Sequence, residues 1–363
     1  MTSRVICFDL EGPLSPQDNA LEVMGLIDNG KKIFEIISRY DDILTLESRE
    51  NYEPGDTLSL IVPFLLYHDI SEKDIRKISD KAMIVPGVEY MIPRLKKCDW
   101  DPYIISTSYE QHAYNIAEKI GIERKKIFCT KLPLDKLKTE IKERDANLIE
   151  EVERDILEEL YTARDGKRIK ERLDRFYNRD MKGTELGRFM DGIKVVGGQR
   201  KVDSLIKIAR MNSKNLSEIV AVGDSITDYK MLDTVRNERG VAVVFNGNDY
   251  AIPYANFGLA SQDMRFLLIL TDSYVSGGWA SVMRVVKEWE ENRKMFVEKP
   301  EKISNEFIPD DVRNFLIEKK SDPKFMPPHL TLLENADKDK IESTVKIHKK
   351  FREFVRGEAA RLG

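Results

Sequence analysis

Six short apolar runs punctuate the chain, at residues 5–8, 103–106, 126–129, 219–222, 241–245 and 257–259, and turn or charged residues bound each of them. Runs this short, rich in Val, Ile and Phe, predict strands covered on both faces. Between them, apolar residues recur at helical spacing. Helices are expected over 88–97 after a Pro-Gly entry, over 112–120 ending at Gly121, and over 202–211. Alternating strands and helices predict an α/β fold, a doubly wound, mainly parallel sheet.

Two insertions interrupt that pattern. Residues 14–83 separate the first strand from the helix near Gly87, and their Leu, Ile and Phe spacing is mostly helical. Residues 135–182 are the most charged part of the chain. Their apolar positions fall at Leu148, Val152, Ile156 and Leu160, then at Ile169, Leu173 and Phe176, with "ARDG" between. Spacings of three and four on either side of a break predict an antiparallel helical hairpin. Its charges form a solvated face laced with i,i+4 pairs, or an arm for dimerisation or a protein partner. Further helical patterns run over 276–296, 309–320 and 338–361, with "FMPPHL" as a linker or turn, and no chemical motif is visible there. The expected organisation is a core of residues 1–13, 84–134 and 183–262, a helical cap at 14–83, the hairpin at 135–182 and a helical C-terminal extension at 263–363.

Composition narrows the function classes. A chain of 363 residues, 41% hydrophobic, has enough apolar content for two or three structural units. Its 59 Lys and Arg against 63 Asp and Glu leave a net charge of −4, without the basic excess of a nucleic-acid or anionic-membrane binder. Three scattered cysteines, Cys7, Cys98 and Cys129, form neither a disulfide framework nor a metal knuckle. "LSLIVPFLLY" and "FLLIL" are too short to span a membrane, and the N-terminus lacks the regions of a signal peptide. A cytoplasmic chain without a membrane span is expected.

Four segments carry chemistry. "VICFDLEGP" puts Asp9 and Glu11 past the end of the first strand, at the sheet edge where open α/β folds bind ligands. "YIISTSYEQ" ends a strand in Ser106, Thr107 and Ser108, hydroxyls suited to holding a phosphate or to capping the next helix. "VVGGQRKV" supplies Lys201 near a helix start, where a surface position is the ordinary alternative. "IVAVGDSITDYKML" breaks at Gly223 into Asp224, Ser225, Thr227 and Asp228. The glycine permits a sharp turn and Asp228 suits a helix N-terminus. Two carboxylates four apart at a strand end suit a hard cation such as Mg²⁺.

In this order the four segments resemble the motifs of the haloacid dehalogenase superfamily, specifically its phosphoserine-phosphatase-like branch. The resemblance covers residues 4–12, 85–130 and 197–261, including "VPGVEYMIPRLKKCDWDPYIISTSYE" and "VAVVFNGND". The overall layout, though no single motif, is similar to archaeal members of the superfamily. The resemblance implies that Asp9 is a nucleophile forming an aspartyl-phosphate, and that Glu11 is the general acid and base. It likewise implies that Asp9, Asp224, Asp228 and the main-chain carbonyl of Glu11 surround Mg²⁺. Ser106, with Gly12, Thr107 and Thr227 nearby, would hold the phosphoryl group, and Lys201 would neutralise its charge. The activity so implied is hydrolysis of a small phosphorylated metabolite.

Two departures qualify that expectation. Glu11 stands where Asp is usual, moving the carboxyl by about 1.5 Å. The Asp-x-Glu-Gly form resembles the phosphoserine:homoserine phosphotransferase subgroup, so transfer to an alcohol is an alternative to hydrolysis. The cap of phosphoserine-specific enzymes carries a Glu and an Arg; here that stretch offers Asp18 and Glu22, and its Arg region reads "GDTLSLIVPFLLY", with Arg49 upstream. That apolar run either packs the cap or faces a more apolar ester. A non-catalytic scaffold or regulatory subunit, binding a partner or a second copy through 135–182 or 263–363, is the alternative from another class.

Overall fold

The computed structural model describes residues 3–47, 49 and 52–361. Seven strands form one sheet: β1 (Arg4–Phe8), β2 (Trp100–Tyr109), β3 (Ile127–Thr130), β4 (Ile219–Gly223), β5 (Val241–Phe245), β6 (Phe257–Ala260) and β7 (His329–Leu332). Their order is β3-β2-β1-β4-β5-β6-β7, with β1 in the middle and every pairing parallel except β6 with β7. All six expected strands are present within a few residues.

Side-chain alternation along the strands builds two faces. Ile6 and Phe8 pack with Val88, Met91, Leu95, Ile116 and Trp289 on one face. Val5 and Cys7 pack with Leu205, Ile208, Met231 and Val235 on the other. Helices therefore cover both sides of the sheet, and the doubly wound α/β fold stands.

The tail differs from expectation at two points. The chain after "FMPP" is not only a connection: His329–Leu332 pairs antiparallel with β6 as the edge strand. Its sequence, HLTL, is four residues with only Leu330 and Thr331 buried, too short to show a period. The helix expected over 276–296 begins earlier, running Leu268–Glu298 with a break at Gly277 and Gly278, where Gly278 takes φ +62°.

The cap and the hairpin share a second apolar cluster. Ile33, Phe34, Ile37 and Phe64 meet Ile149, Val152, Ile156, Ile169, Leu173 and Phe176 in it. The hairpin arms are Glu143–Asp155 and Gly166–Arg175, each continued by one wider turn, and Asp165 caps the second arm through the N–H groups of Lys167 (2.9 Å) and Arg168 (3.3 Å). Arg49 pairs with the hairpin's Asp174 at 2.6 Å. The apolar run at 58–67 folds as the short helices Thr57–Leu60 and Val62–Tyr67, with Leu60, Ile61, Val62, Phe64, Leu65 and Leu66 buried; it packs the cap. Among the described residues, no helix is long and apolar enough to cross a membrane.

Candidate active site

Asp9 follows β1 directly, and its N–H donates to the Val222 carbonyl at 2.8 Å, which ties the loop to β4. Lys201 sits in the first turn of the helix Gln199–Met211 and is fully buried. Its Nζ donates to Asp9 Oδ1 at 2.7 Å and to Asp228 Oδ1 at 2.6 Å. Burial works against the ammonium charge, but the Asp228 and Asp9 carboxylates hold it protonated above its ordinary range. The alternative of a surface lysine is overturned. Asp9 is pushed up by burial and then by Asp228, while Lys201 pulls it back.

Asp228 occupies the N-cap position of the helix Tyr229–Asn237, yet its side chain caps nothing there. Instead Oδ2 accepts the N–H groups of Asp224 (2.9 Å) and Ser225 (3.1 Å), fixing the loop that precedes it. The expected position at the helix N-terminus stands, and the side chain adds to it the fixing of this loop. Gly223 also has a different purpose from a sharp turn, since its φ is not positive. A Cβ there would lie 2.6 Å from Asp228 Cβ and Cγ, so glycine is required for the close approach of Asp228.

Glu11 lies opposite the end of β2. Its Oε1 accepts from Ser108 Oγ at 2.7 Å and from the Asn19 N–H at 3.1 Å, with His112 Nε2 at 3.9 Å. Burial, then the charge of Asp18, pushes the Glu11 carboxyl up to about 8. The hydroxyl that meets Glu11 is thus Ser108. Ser106 is fully buried and accepts the Ser108 N–H at 3.1 Å, while Thr107 reaches the cavity. None of the three caps the following helix: β2 continues to Tyr109, which takes the N-cap position without a side-chain bond.

A cavity of about 70 Å³ lies over these residues. Asp9, Glu11, Thr107 and Thr227 line it from the sheet side; Asp18, Phe34, Asp41 and Leu58 close it from the cap. Gly12, with φ +104°, threads between Glu11 and Asp224 and donates its N–H to the Ser15 carbonyl at 2.7 Å.

The tail supplies two residues that sequence reasoning missed. The helix Lys338–Arg356 brings Arg352 and Arg356, both buried, to the Asp224 carboxylate. Arg352 Nη1 donates to Asp224 Oδ2, and Arg356 Nη1 donates to the same oxygen at 2.8 Å. One signal was present: His348, Arg352 and Arg356 recur every four residues, in phase with the buried Thr344. Arginines on the covered stripe of a helix must meet a buried partner.

The donor set fits a divalent cation. Asp9, Asp224 and Asp228 each offer a carboxylate oxygen within 4.8 Å of the others. Asp224 Oδ1 is buried and accepts no hydrogen bond, which leaves it free to ligate. Both Asp228 oxygens are engaged, so that residue supports the site through Lys201 and the loop amides. With every carboxyl ionised, Asp9, Glu11, Asp18, Asp224 and Asp228 face Lys201, Arg352 and Arg356, an excess of two negative charges. The sequence motifs alone, which count only Lys201 on the positive side, overstate that excess.

Fold and site together define a doubly wound α/β protein with a buried carboxylate–lysine centre at the C-terminal edge of its sheet. No protein-family model matches the chain, and no curated protein matches it. Among solved structures, it is similar to gene product AF1437 from Archaeoglobus fulgidus, at 28% identity and TM-score 0.74 over 99% of both chains. A substrate-bound phosphoserine phosphatase complex matches at 17% identity and TM-score 0.49, over 74% of this chain and 98% of that one. A phospho-aspartyl intermediate analogue of phosphoserine phosphatase matches at 18% identity and TM-score 0.48 over the same shares.

Proposed function

We propose that this chain is a haloacid-dehalogenase-superfamily phosphomonoester hydrolase, dependent on Mg²⁺ and acting through an aspartyl-phosphate on a small phosphorylated metabolite. The observation that carries this is the position of Lys201: buried between Asp9 and Asp228, beside an Asp224 oxygen without a partner. A lysine is buried in this way to neutralise charge, and phosphoryl transfer calls above all for positioning and charge neutralisation.

In the first step an Asp9 oxygen attacks phosphorus, the aspartyl P–O bond forms, and the ester P–O bond breaks. Glu11, protonated near neutral pH by its burial, donates its proton to the departing alkoxide. In the second step water attacks phosphorus while the Glu11 carboxylate takes its proton, and the P–O bond to Asp9 breaks, releasing phosphate. Lys201 offsets charge on Asp9 and the phosphoryl oxygens throughout. Thr107, Ser225 and Thr227 border the space for the phosphoryl group. Asp9, Asp224 and the Glu11 carbonyl would hold Mg²⁺, which supplies charge stabilisation to the phosphate oxygens.

The cavity favours a small ester whose alcohol carries no second anion. Asp18, Asp41 and Asp42 line the cavity; the guanidinium that lines it with them, Arg356, is engaged by Asp224 and the Pro16 carbonyl, and Arg49 is committed to Asp174 outside it.

The test is a screen of phosphomonoesters with Mg²⁺ and with chelator, comparing the native chain with Asp9→Asn. Turnover that needs both Mg²⁺ and Asp9 supports the hydrolase, and added alcohols that yield new phosphate esters would redirect it to phosphotransfer. If no ester is turned over faster than by Asp9→Asn, the catalytic reading fails and a scaffold role takes its place.

A further inference from the structure

Two guanidinium groups from the last helix converge on one oxygen of one carboxylate, Asp224 Oδ2, while the other oxygen stays free. We propose that Arg352 and Arg356 are positioning residues for Asp224: they hold Oδ2 so that Oδ1 alone faces a divalent cation, which makes the C-terminal extension part of the metal site. This inference rests on the metal-dependent reading of the site above.

The physical case begins with rotation. A carboxylate on a loop after a strand turns about its last bond unless one oxygen is fixed, and charge-assisted bonds from arginine fix it strongly. Asp224 Oδ2 receives two such donors, and Arg352 Nη1 also reaches the Asp224 carbonyl at 3.3 Å. Hydrogen bonds to metal ligands orient them and raise metal affinity.

The arginines are themselves held in place. Arg356 Nε donates to the Pro16 carbonyl at 3.2 Å, in the loop that follows Glu11 and Gly12. The helix ends at Gly357, whose φ of +54° turns the chain back so that the Ala360 carbonyl accepts from Arg352 Nε at 3.1 Å. One turn upstream, His348 Nδ1 accepts the Gly247 N–H at 3.0 Å, beside Gly258 on β6, where a Cβ would come within 3.1 Å of His348 Nε2. Strand β7 pins the start of this segment to the sheet. Such a series of fixed contacts is what a side chain needs to aim a ligand.

The opposite role is also physically defined. Two cations on Asp224 would compete with a metal ion if they had to leave before it entered, and their removal would then tighten metal binding. The free Oδ1 argues for support, and the sign of the effect separates the two.

The experiment is a Mn²⁺ titration of the 363-residue chain by calorimetry, with free Mn²⁺ followed by its electron paramagnetic resonance signal. Arg352→Gln and Arg356→Gln are expected to weaken Mn²⁺ binding by about 10- to 100-fold. Lys346→Gln, exposed on the same helix, is expected to bind as the native chain does. Melting temperatures in chelator separate lost aim from lost fold. If the Gln variants do not fold, Arg356→Lys decides, because it keeps the charge and loses the fork; it should bind Mn²⁺ more weakly than the native chain. Affinity equal to or tighter than native in the folded variants overturns the proposal, as does a native chain that binds no Mn²⁺. Native Mn²⁺ binding with no ester turned over removes the hydrolase reading alone, and turnover with unaffected arginine variants removes this inference alone.

Discussion

Gly12 faces Asp224 so closely that a Cβ on it would stand 2.4 Å from the Asp224 carboxyl carbon, and its φ of +104° is one that side chains rarely adopt. Gly12→Ala must therefore push the carboxylate aside. A displacement of about 1 Å at a reacting site costs on the order of 100-fold in rate, and that loss in kcat/KM is the expected outcome. Gly121→Ala serves as the control: φ is +73°, but the nearest atom is Lys96 Nζ at 4.0 Å, so it carries backbone strain without the collision. Equal activity in the two variants would refute the role of Gly12.

Among the described residues, Lys201 is the cation paired with both Asp9 and Asp228 in the buried centre. Lys201→Met leaves two buried carboxylates uncompensated, and loss of one partner of a buried pair costs about 3–5 kcal/mol. Chemical denaturation in chelator at pH 7 should show that loss. Adding Asp228→Asn should restore part of it, and a double variant no more stable than the single one would contradict the argument.

His348 gives the tail a measurable pH dependence. Burial, then the charge of His329, pushes its pKa down to about 3, so the folded state keeps it neutral while Nδ1 accepts from Gly247. The unfolded chain takes up that proton below about 6.5, so stability is present above that pH and is lost as pH falls toward 3. At pH 5 the loss is about 2 kcal/mol for this group. His112, also pushed down to about 3 by burial, adds to the acid sensitivity. Melting temperatures at pH 7 and pH 5 should therefore fall less for His348→Gln than for the native chain. Parallel curves would show that His348 does not titrate on unfolding.

Binding of Mg²⁺ to the folded chain alone should raise its melting temperature. At a hundredfold excess over Kd the stabilisation is about 2.7 kcal/mol. Asp224→Asn, which replaces the free Oδ1 site, should abolish the shift, as should chelator. A shift of the same size in Asp224→Asn would place the cation elsewhere.

The central strands were legible because strands covered on both faces appear as unbroken apolar runs, as "RVICF" and "IVAVG" do. Asp224 and Asp228 were legible through their spacing at a strand end, whereas Lys201 was legible only through the resemblance, since a lysine near a helix start is ordinarily exposed. The choice among Ser106, Thr107 and Ser108 was not. Register between β2 and β3 shifts between Ser106 and Tyr109, so simple alternation fails where it was needed. Arg352 and Arg356 were hidden for another reason. Their importance depends on where a helix docks more than a hundred residues from its partner, and local periodicity says nothing about docking.

The order in which the site's parts are synthesised follows from the tail's position. Asp9 emerges just after the first strand and Lys201 joins it 192 residues later, whereas the bond from Arg356 to Pro16 spans 340 residues. Until the helix Lys338–Arg356 has been made, Asp224 has neither guanidinium. Full assembly of the site thus waits for that helix, and a nascent chain, or one ended before it, carries an unfinished centre.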